Sequence, residues 1–526
     1  MNEENERNAD GLIICYKFPP STRVSGVAYS KRLIKSQKIM DIIQCCLDGE
    51  ELDEDYNKIV NRFVNKRYYT KTNKASPTWT SIEKFNKEGM EILEKEETYK
   101  KIYSCVGPHE SHFLALEYKL KHPDTFWTAE FSDPLSITID NKKRGTPKQN
   151  IFIKNKDYLD KINHEIRNYG ENYGKYFKGD EKTSEINPQD LDLRMIDEDM
   201  TIFQLCEYLP FLFADEIVFT NEHQMELMLG FYPEIKDLVR AKSTIQSYPT
   251  LDDECYHIIE SDYEVDESYV NFGYFGTYLG KRHLENVFYA FESLNPLFKD
   301  KYKIHIFAQN KATLKKVIEE LDISENFIIN DKVPLLEFLN LTTKFDVLIV
   351  NDLNTYDNFE KNPFLPSKLA DYSGGGNDVW AICEKGSIMS QYDIKYKSDV
   401  ADYESSLDTL KNIFKDKIDL NKEGIDISSI DGNLTKHLEI RLYQLNSVVE
   451  NLNNKNANLN KKLKNEKEKV SKLKRENKKL KSEDEISKLK RENEKLKKEM
   501  KKVKSTKGWA KYKAKNIKSR AKKKIK

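Results

Sequence analysis

Short apolar runs alternate with helix-length stretches along most of this chain. The segment Gly11 to Tyr16 (GLIICY) is apolar, is broken by Pro19-Pro20 and a Ser/Gly loop, and leads into a helical stretch from Val27 to Lys38. Apolar runs bounded by breakers and too short for a helix read as buried strands. Further runs lie at Ile102 to Val106, Thr125 to Ala129 and Glu216 to Thr220, with helical patterns at His112 to Lys121 and Glu222 to Leu229. The pattern restarts at Val270 to Phe275 (VNFGYF). It continues through helix Leu284 to Leu294, strand Ile304 to Ala308, helix Ala312 to Leu321, strand Phe327 to Ile329, helix Leu335 to Asn340 and strand Asp346 to Val350. A last unit runs from a helix start at Pro366 to a strand at Val379 to Cys383. Such alternation predicts parallel sheets flanked by helices, here in two α/β halves. The expected boundaries are a disordered 1–10, a first Rossmann-like half over 11–250 with a Lys/Asn/Asp-rich insertion near 141–199, a linker over 251–267, and a second Rossmann-like half over 268–433.

From Leu438 the period changes to seven. Leu438, Leu445, Leu452, Leu459, Leu473 and Leu480 occupy d positions; Leu442, Val449, Asn456, Leu463, Val470 and Asn477 occupy a positions, and Glu466 interrupts the seam. Across Lys481 to Glu485 the register resets by two residues, then runs through Ile486, Leu489, Asn493, Leu496, Met500 and Val503. The block SKLKREN at Ser471 to Asn477 recurs at Ser487 to Asn493. Leu at d with isolated Asn at a predicts a parallel homodimeric coiled coil over 434–503, the alternative being a single solvated helix.

Charge is unevenly spread. Lysine plus arginine and aspartate plus glutamate number 87 each, yet Lys501 to Lys526 hold 13 cations and no acid, leaving the preceding 500 residues at −13. The tail over 504–526 sets Trp509, Tyr512, Ile517 and Ile525 among lysines, a composition suited to an anionic membrane surface, with nucleic acid a less favoured partner and a solvated end the plain reading. No apolar run is long enough to span a bilayer, and the acidic start MNEENERNAD is unlike a signal peptide, so the expected location is cytoplasmic, peripheral at the inner face of the cell membrane. Seven cysteines without C-x-x-C spacing read as reduced thiols.

Metal binding finds no support in spacing. The three Asp-x-Asp pairs, Asp53/Asp55, Asp190/Asp192 and Asp197/Asp199, are as many as chance yields for 38 aspartates in 526 residues, and no His/Cys cluster has ligand spacing. Phosphate sites are better represented. The loop Pro19 to Gly26 joins the first strand to the first helix, where Ser25 and Gly26 offer backbone N–H groups to an anion. Leu365-Pro366-Ser367-Lys368 opens a helix after the strand Asp346 to Val350, with Asp371 one turn on, placed to hydrogen-bond a ribose diol.

Six blocks, in order, resemble the motifs of GT-B glycosyltransferases similar to family 4, the type that builds surface polysaccharides: FPPSTRVSGVAYSKRLI (Phe18 to Ile34), YSCVGPHESHFLALEYKLKHP (Tyr103 to Pro123), WTAEFSDPLS (Trp127 to Ser136), ADEIVFTNEHQMELM (Ala214 to Met228), YFGTYLGKRHLENVFYA (Tyr274 to Ala290) and NPFLPSKLADYSGGGNDVWAICEKGS (Asn362 to Ser387). The resemblance spans Gly11 to Asp431, apart from the insertion and the stretch Cys45 to Glu97. It implies two Rossmann-like domains facing a cleft and retaining, metal-independent sugar transfer from a nucleoside-diphosphate sugar to a glycan or lipid-linked acceptor, with no further cofactor. Ser25 and Gly26 then face the donor phosphates and His109 lies near the donor sugar. Gly276 and Arg282 meet the diphosphate, Ser367 and Lys368 the phosphate side, and Asp371 the ribose. Asp133 reads more simply as a turn residue, and Gly374 to Gly376 as a helix-to-strand turn. Two positions depart from the family pattern: Pro363 stands where a first ribose-binding Glu is usual, and Thr277 where Arg is frequent. These departures keep a second expectation open, a coiled-coil scaffold or glycan-binding protein whose GT-B-like body has lost catalysis.

Overall fold

The computed structural model describes residues 9–72, 78–107, 109–146, 156–171, 191–276, 284–309, 311–419 and 434–504, together with 511, 513 and 515. Residues 1–436 form one compact unit and 437–526 another.

Two parallel sheets build the first unit. One contains β1 (Gly11–Ile14), β2 (Met40–Cys45), β3 (Val64–Thr70), β4 (Lys101–Cys105), β5 (Phe126–Phe131), β6 (Glu216–Phe219) and β7 (Ser243–Ile245), in the order β3-β2-β1-β4-β5-β6-β7. The other contains β8 (Val270–Phe275), β9 (Tyr302–Phe307), β10 (Phe327–Asn330), β11 (Val347–Asn351), β12 (Asp378–Cys383) and β13 (Tyr396–Asp399), in the order β10-β9-β8-β11-β12-β13. In each, the strand order reverses beside the first strand, at β1/β4 and at β8/β11. Ligands of open α/β sheets bind at such switch points, outside the strand carboxyl ends. Central position explains composition: every residue of β1 and β8 is buried, which demands the apolar runs GLII and VNFGYF.

Edge and polar strands escaped the apolar-run criterion. β3 (VNKRYYT) buries only Thr70, and β13 (YKSD) alternates buried with exposed or half-buried residues. The stretch Cys45 to Glu97, outside the resemblance, also holds helix Trp79–Leu93, whose Trp79, Ile82, Phe85 and Leu93 enter the first core. The insertion is likewise anchored: in helix Lys156–Arg167, Ile162 and Ile166 are buried in that core.

The expected linker is a packed strap. Leu251 and Tyr256 are buried, Tyr256 Oη donates to the Asp371 carbonyl at 2.6 Å, and Asn340 Nδ2 donates to the Tyr256 carbonyl at 3.0 Å. Ser261 N and Oγ donate to Asn340 Oδ1 and Glu337 Oε1, both at 2.9 Å. Seated between the sheets, this strap gives Gly374 its reason, because a Cβ there would lie 2.0 Å from Tyr256 Oη. The turn reading holds at Gly376, whose φ of 75° suits glycine.

The second unit is described by helix Leu434–Lys504, 71 residues without a backbone break and about 105 Å long at 1.5 Å per residue. Among the described residues no helix is long and apolar enough to cross a membrane.

Gly374→Ala is expected to destabilise the first unit by about 1–3 kcal/mol through overpacking against Tyr256. Gly49→Ala is the control for backbone strain alone, since Gly49 has φ 76° and nothing within 4 Å of its Cβ position. Urea denaturation should rank the Gly374 variant below the Gly49 variant.

Candidate functional site

The loop after β1 and the start of helix Val24–Ser36 are held by the chain itself. A Cβ on Gly26 would stand 2.0 Å from the Lys17 carbonyl oxygen, so packing of the helix start onto its own loop requires glycine at position 26. Ser25 Oγ donates to the Gly107 carbonyl, joining the loops after β1 and β4 at the switch point.

His109 stands immediately before helix Glu110–Lys121, at its N-cap position, but its side chain makes no cap bond. Its ring packs edge-on against Phe203, with centroids 4.9 Å apart, and its Nε2 is buried without a hydrogen-bond partner among the described residues. Burial, then the Arg144 cation, pushes its pKa down to about 4, so it is a neutral imidazole at pH 7. The Arg144 guanidinium lies 5.4 Å from the centroid of the same Phe203 ring. His112, one turn on, shares a 2.8 Å hydrogen bond between Nδ1 and Ser104 Oγ, and burial pushes it to about 3.

Asp133 is exposed in the turn after β5. That turn is fastened from below by Glu207, which no motif marked. Its Oε1 accepts from Leu135 N at 2.7 Å and Ser136 N at 2.8 Å, and its Oε2 accepts from Tyr232 Oη at 2.7 Å. Burial raises the Glu207 pKa.

On the opposite sheet, Gly276 follows β8 and donates its N–H to the Phe307 carbonyl at 3.2 Å. Thr277 and Arg282 lie outside the described residues. Ser367 precedes helix Lys368–Gly374 without a side-chain cap bond. Lys368 Nζ sits 3.6 Å from the Phe338 ring centroid, and burial lowers its pKa to about 8 against the opposing effect of Asp371. Asp371 is buried and ion-paired to Lys31 of helix Val24–Ser36, with the two side chains 5% and 8% exposed. The carboxylate expected to face a ribose is thus held by the other half of the molecule.

A further buried carboxylate shapes the segment after β11. Glu384 Oε2 accepts from Thr355 N at 2.6 Å and Oγ1 at 2.9 Å, while Ser387 Oγ donates to Asp352 Oδ2 at 2.6 Å. The segment so held delivers Asn362 and Pro363 to the first half. The Pro363 carbonyl accepts from Asn221 Nδ2 at 3.0 Å, and the Asn362 carbonyl lies 3.1 Å from His223 Nδ1.

The carboxyl ends of the two sheets therefore meet. Leu335 N also donates to Asp53 Oδ2 at 3.1 Å, and Asn141 Nδ2 to the Asn358 carbonyl at 2.8 Å. Asp53, from one Asp-x-Asp pair, caps helix Glu54–Val60 through Tyr56 N at 3.0 Å; Asp55 of that pair ion-pairs Lys58 on the surface. Among the described residues no three His, Cys, Asp or Glu side chains group as metal ligands. A cavity of about 70 Å³ remains between Ser247, Tyr248, Leu365, Pro366, Leu369 and Tyr392. A site for a small molecule occupies about 300 Å³ or more, so this cavity does not hold a nucleotide sugar with the halves closed as here.

Two Rossmann-like domains set carboxyl end to carboxyl end are the GT-B architecture, followed here by a long helix. Neither a family model nor a curated protein matches the chain in sequence. Similar solved structures include Anabaena HepE (Alr3699) in complex with UDP and glucose, at 8% identity and TM-score 0.44, covering 82% of this chain and 99% of that one. The lipopolysaccharide outer core galactosyltransferase WaaB, apo form, is 10% identical with TM-score 0.44 over 83% of this chain and 99% of that one. A UDP-forming α,α-trehalose-phosphate synthase from Burkholderia xenovorans, in complex with glucose-6-phosphate, is 8% identical with TM-score 0.44 over 83% and 96%.

Two tests address the site's electrostatics. Burial holds His109, His112 and His305 at about 4, 3 and 4, whereas an unfolded imidazole titrates near 6.5. The unfolded chain takes up protons that the folded chain refuses, so stability complete above pH 6.5 is lost as pH falls toward 4. Urea midpoints from pH 7.5 to 4.5 should fall below pH 6.5, and less steeply in His112→Gln. Second, Lys31→Met or Asp371→Leu alone should cost about 3–5 kcal/mol by stranding a buried charge, and the double variant much less; a urea double-mutant cycle measures the coupling.

Proposed function

We propose that the chain is a glycosyltransferase, moving a sugar from a nucleoside-diphosphate sugar to a glycan acceptor with retention of configuration and without a metal ion. One observation carries this reading. Among the described residues, motif blocks of the two halves meet across the domain boundary at the carboxyl ends of the sheets, where open α/β sheets bind ligands: Lys31 pairs with Asp371, and Asn221 donates to the Pro363 carbonyl. By the resemblance, Arg282 and Lys368 supply positive charge to the departing diphosphate, and the start of helix Val24–Ser36 adds its dipole. Lys368, with no carboxylate among the described residues on its ammonium, is suited to gain an anionic partner. Neutral His109, with its free Nε2, is suited to hydrogen-bond a sugar hydroxyl of donor or acceptor. A donor ribose on Asp371 would share that carboxylate with Lys31, which holds its Oδ1.

The acceptor in this proposal is lipid-linked, in cell-surface polysaccharide synthesis, and the basic tail holds the enzyme peripherally at an anionic membrane. A second reading, a scaffold without catalysis, is favoured by Lys31 on Asp371 and by Pro363 presenting only a carbonyl, to Asn221.

Calorimetric titration with UDP and GDP, without added metal, separates the two. The enzyme reading expects micromolar binding to one nucleotide, abolished by Arg282→Ala or Lys368→Ala, and a loss of roughly 10²- to 10³-fold in transfer rate for either variant. A diphosphate beside Lys368 raises its pKa from about 8, so binding takes up a proton and weakens as pH rises through 8. Titrations of the wild type in buffers of different ionisation enthalpy should report that uptake, larger at pH 8 than at pH 6.5. Absence of binding to both nucleotides leaves the scaffold.

A further inference from the structure

Helix Leu434–Lys504 carries an apolar stripe in water. Leu438, Leu442, Leu445, Val449, Leu452, Leu459, Leu463, Val470 and Leu473 are each 48% to 63% exposed. On a surface helix of a globular protein such a stripe faces a core; here it has the heptad spacing that a second helix covers.

We propose that the stripe from Leu438 to Leu480 is the seam of a parallel, in-register homodimer, and that the seam ends there. The polar residues on the seam choose the occupant. In a parallel, in-register pair each a position faces its own copy, so Asn456 and Asn477 meet their equivalents and hydrogen-bond. Antiparallel pairing sets a against d, and each asparagine would face a residue of the nearly all-leucine d row. Glu466 at d also meets its own copy. The two glutamates are flanked by Lys462 at g and Lys467 at e from both chains, two acids among four cations. Lys469 already ion-pairs Glu466 within the helix at 2.7 Å. The nine apolar side chains of each copy offer roughly 1,500–2,000 Å² in total, the size of a stable interface.

The end of the seam follows from the register. Backbone helix continues through Lys481 to Glu485, yet the apolar positions shift by two residues there. At 3.6 residues per turn two residues turn the stripe by about 200°. Ile486, Leu489, Leu496 and Met500, also about half exposed or more, therefore lie on nearly the opposite face, beyond reach of a helix lying on the first.

Sedimentation velocity of the full chain at micromolar concentration tests this. The wild type is expected at about twice the 61.7 kDa chain mass. Leu445→Glu with Leu452→Glu should give the single-chain mass with unchanged circular dichroism of the α/β unit. Ile486→Glu with Leu489→Glu should leave the mass doubled. Asn456→Cys should cross-link the dimer on oxidation, with the wild type as control for the native thiols. A single-chain mass for the wild type overturns the dimer. Dissociation by the Ile486/Leu489 pair overturns the end point. A dimer that Asn456→Cys fails to cross-link overturns the parallel register.

Discussion

The first unit depends on one buried ion pair and the apolar contact around it. Lys31 and Asp371 join the helix after β1 to the helix after β11, one from each sheet's switch point. Around them a single cluster takes Phe18, Tyr29 and Leu33 from one half and Tyr256, Leu336, Leu339, Leu369 and Tyr372 from the other. The two domains thus share a core. A buried pair adds little net stability over an apolar equivalent, yet it penalises any arrangement that separates its members. It specifies how the two halves meet, and so which loops face which.

Those loops are shaped by carboxylates far less visible than the motifs. Glu207 ties down the turn carrying Asp133, and Glu384 with Asp352 ties down the segment carrying Asn362 and Pro363. Each accepts backbone or hydroxyl donors that burial would otherwise leave costly. The surface facing the domain boundary is therefore built on rigid supports, and burial depresses the pKa of both Lys368 and His109 there.

Central strands with an unbroken apolar run were legible, whereas β2, buried throughout, was not, because Asp41 and Gln44 interrupt its run. β8 was read to the residue and β1 and β12 nearly so. β3 and β13 were not legible, since edge strands keep polar residues on their open faces. In the candidate site, Ser25, Ser367 and Lys368 could be named because loop-to-helix junctions have recognisable chemistry, and His109 only through the family resemblance. Lys31 could not be paired with Asp371, 340 residues on, because an ion pair across domains leaves no spacing in the chain. At Gly26 only the fold reveals that the Lys17 carbonyl leaves no room for a Cβ.

The repeated block in the C-terminal helix begins at Ser471 and again at Ser487, sixteen residues on. Sixteen is two heptads and two residues, so duplication of this unit would itself produce the register reset. A helix lengthened by such copies does not extend its seam; each added unit turns a fresh apolar face by about 200°. Elongation by this repeat therefore multiplies the directions in which the helix can be contacted, and the number of copies a chain carries is written in the orientation of its last stripe.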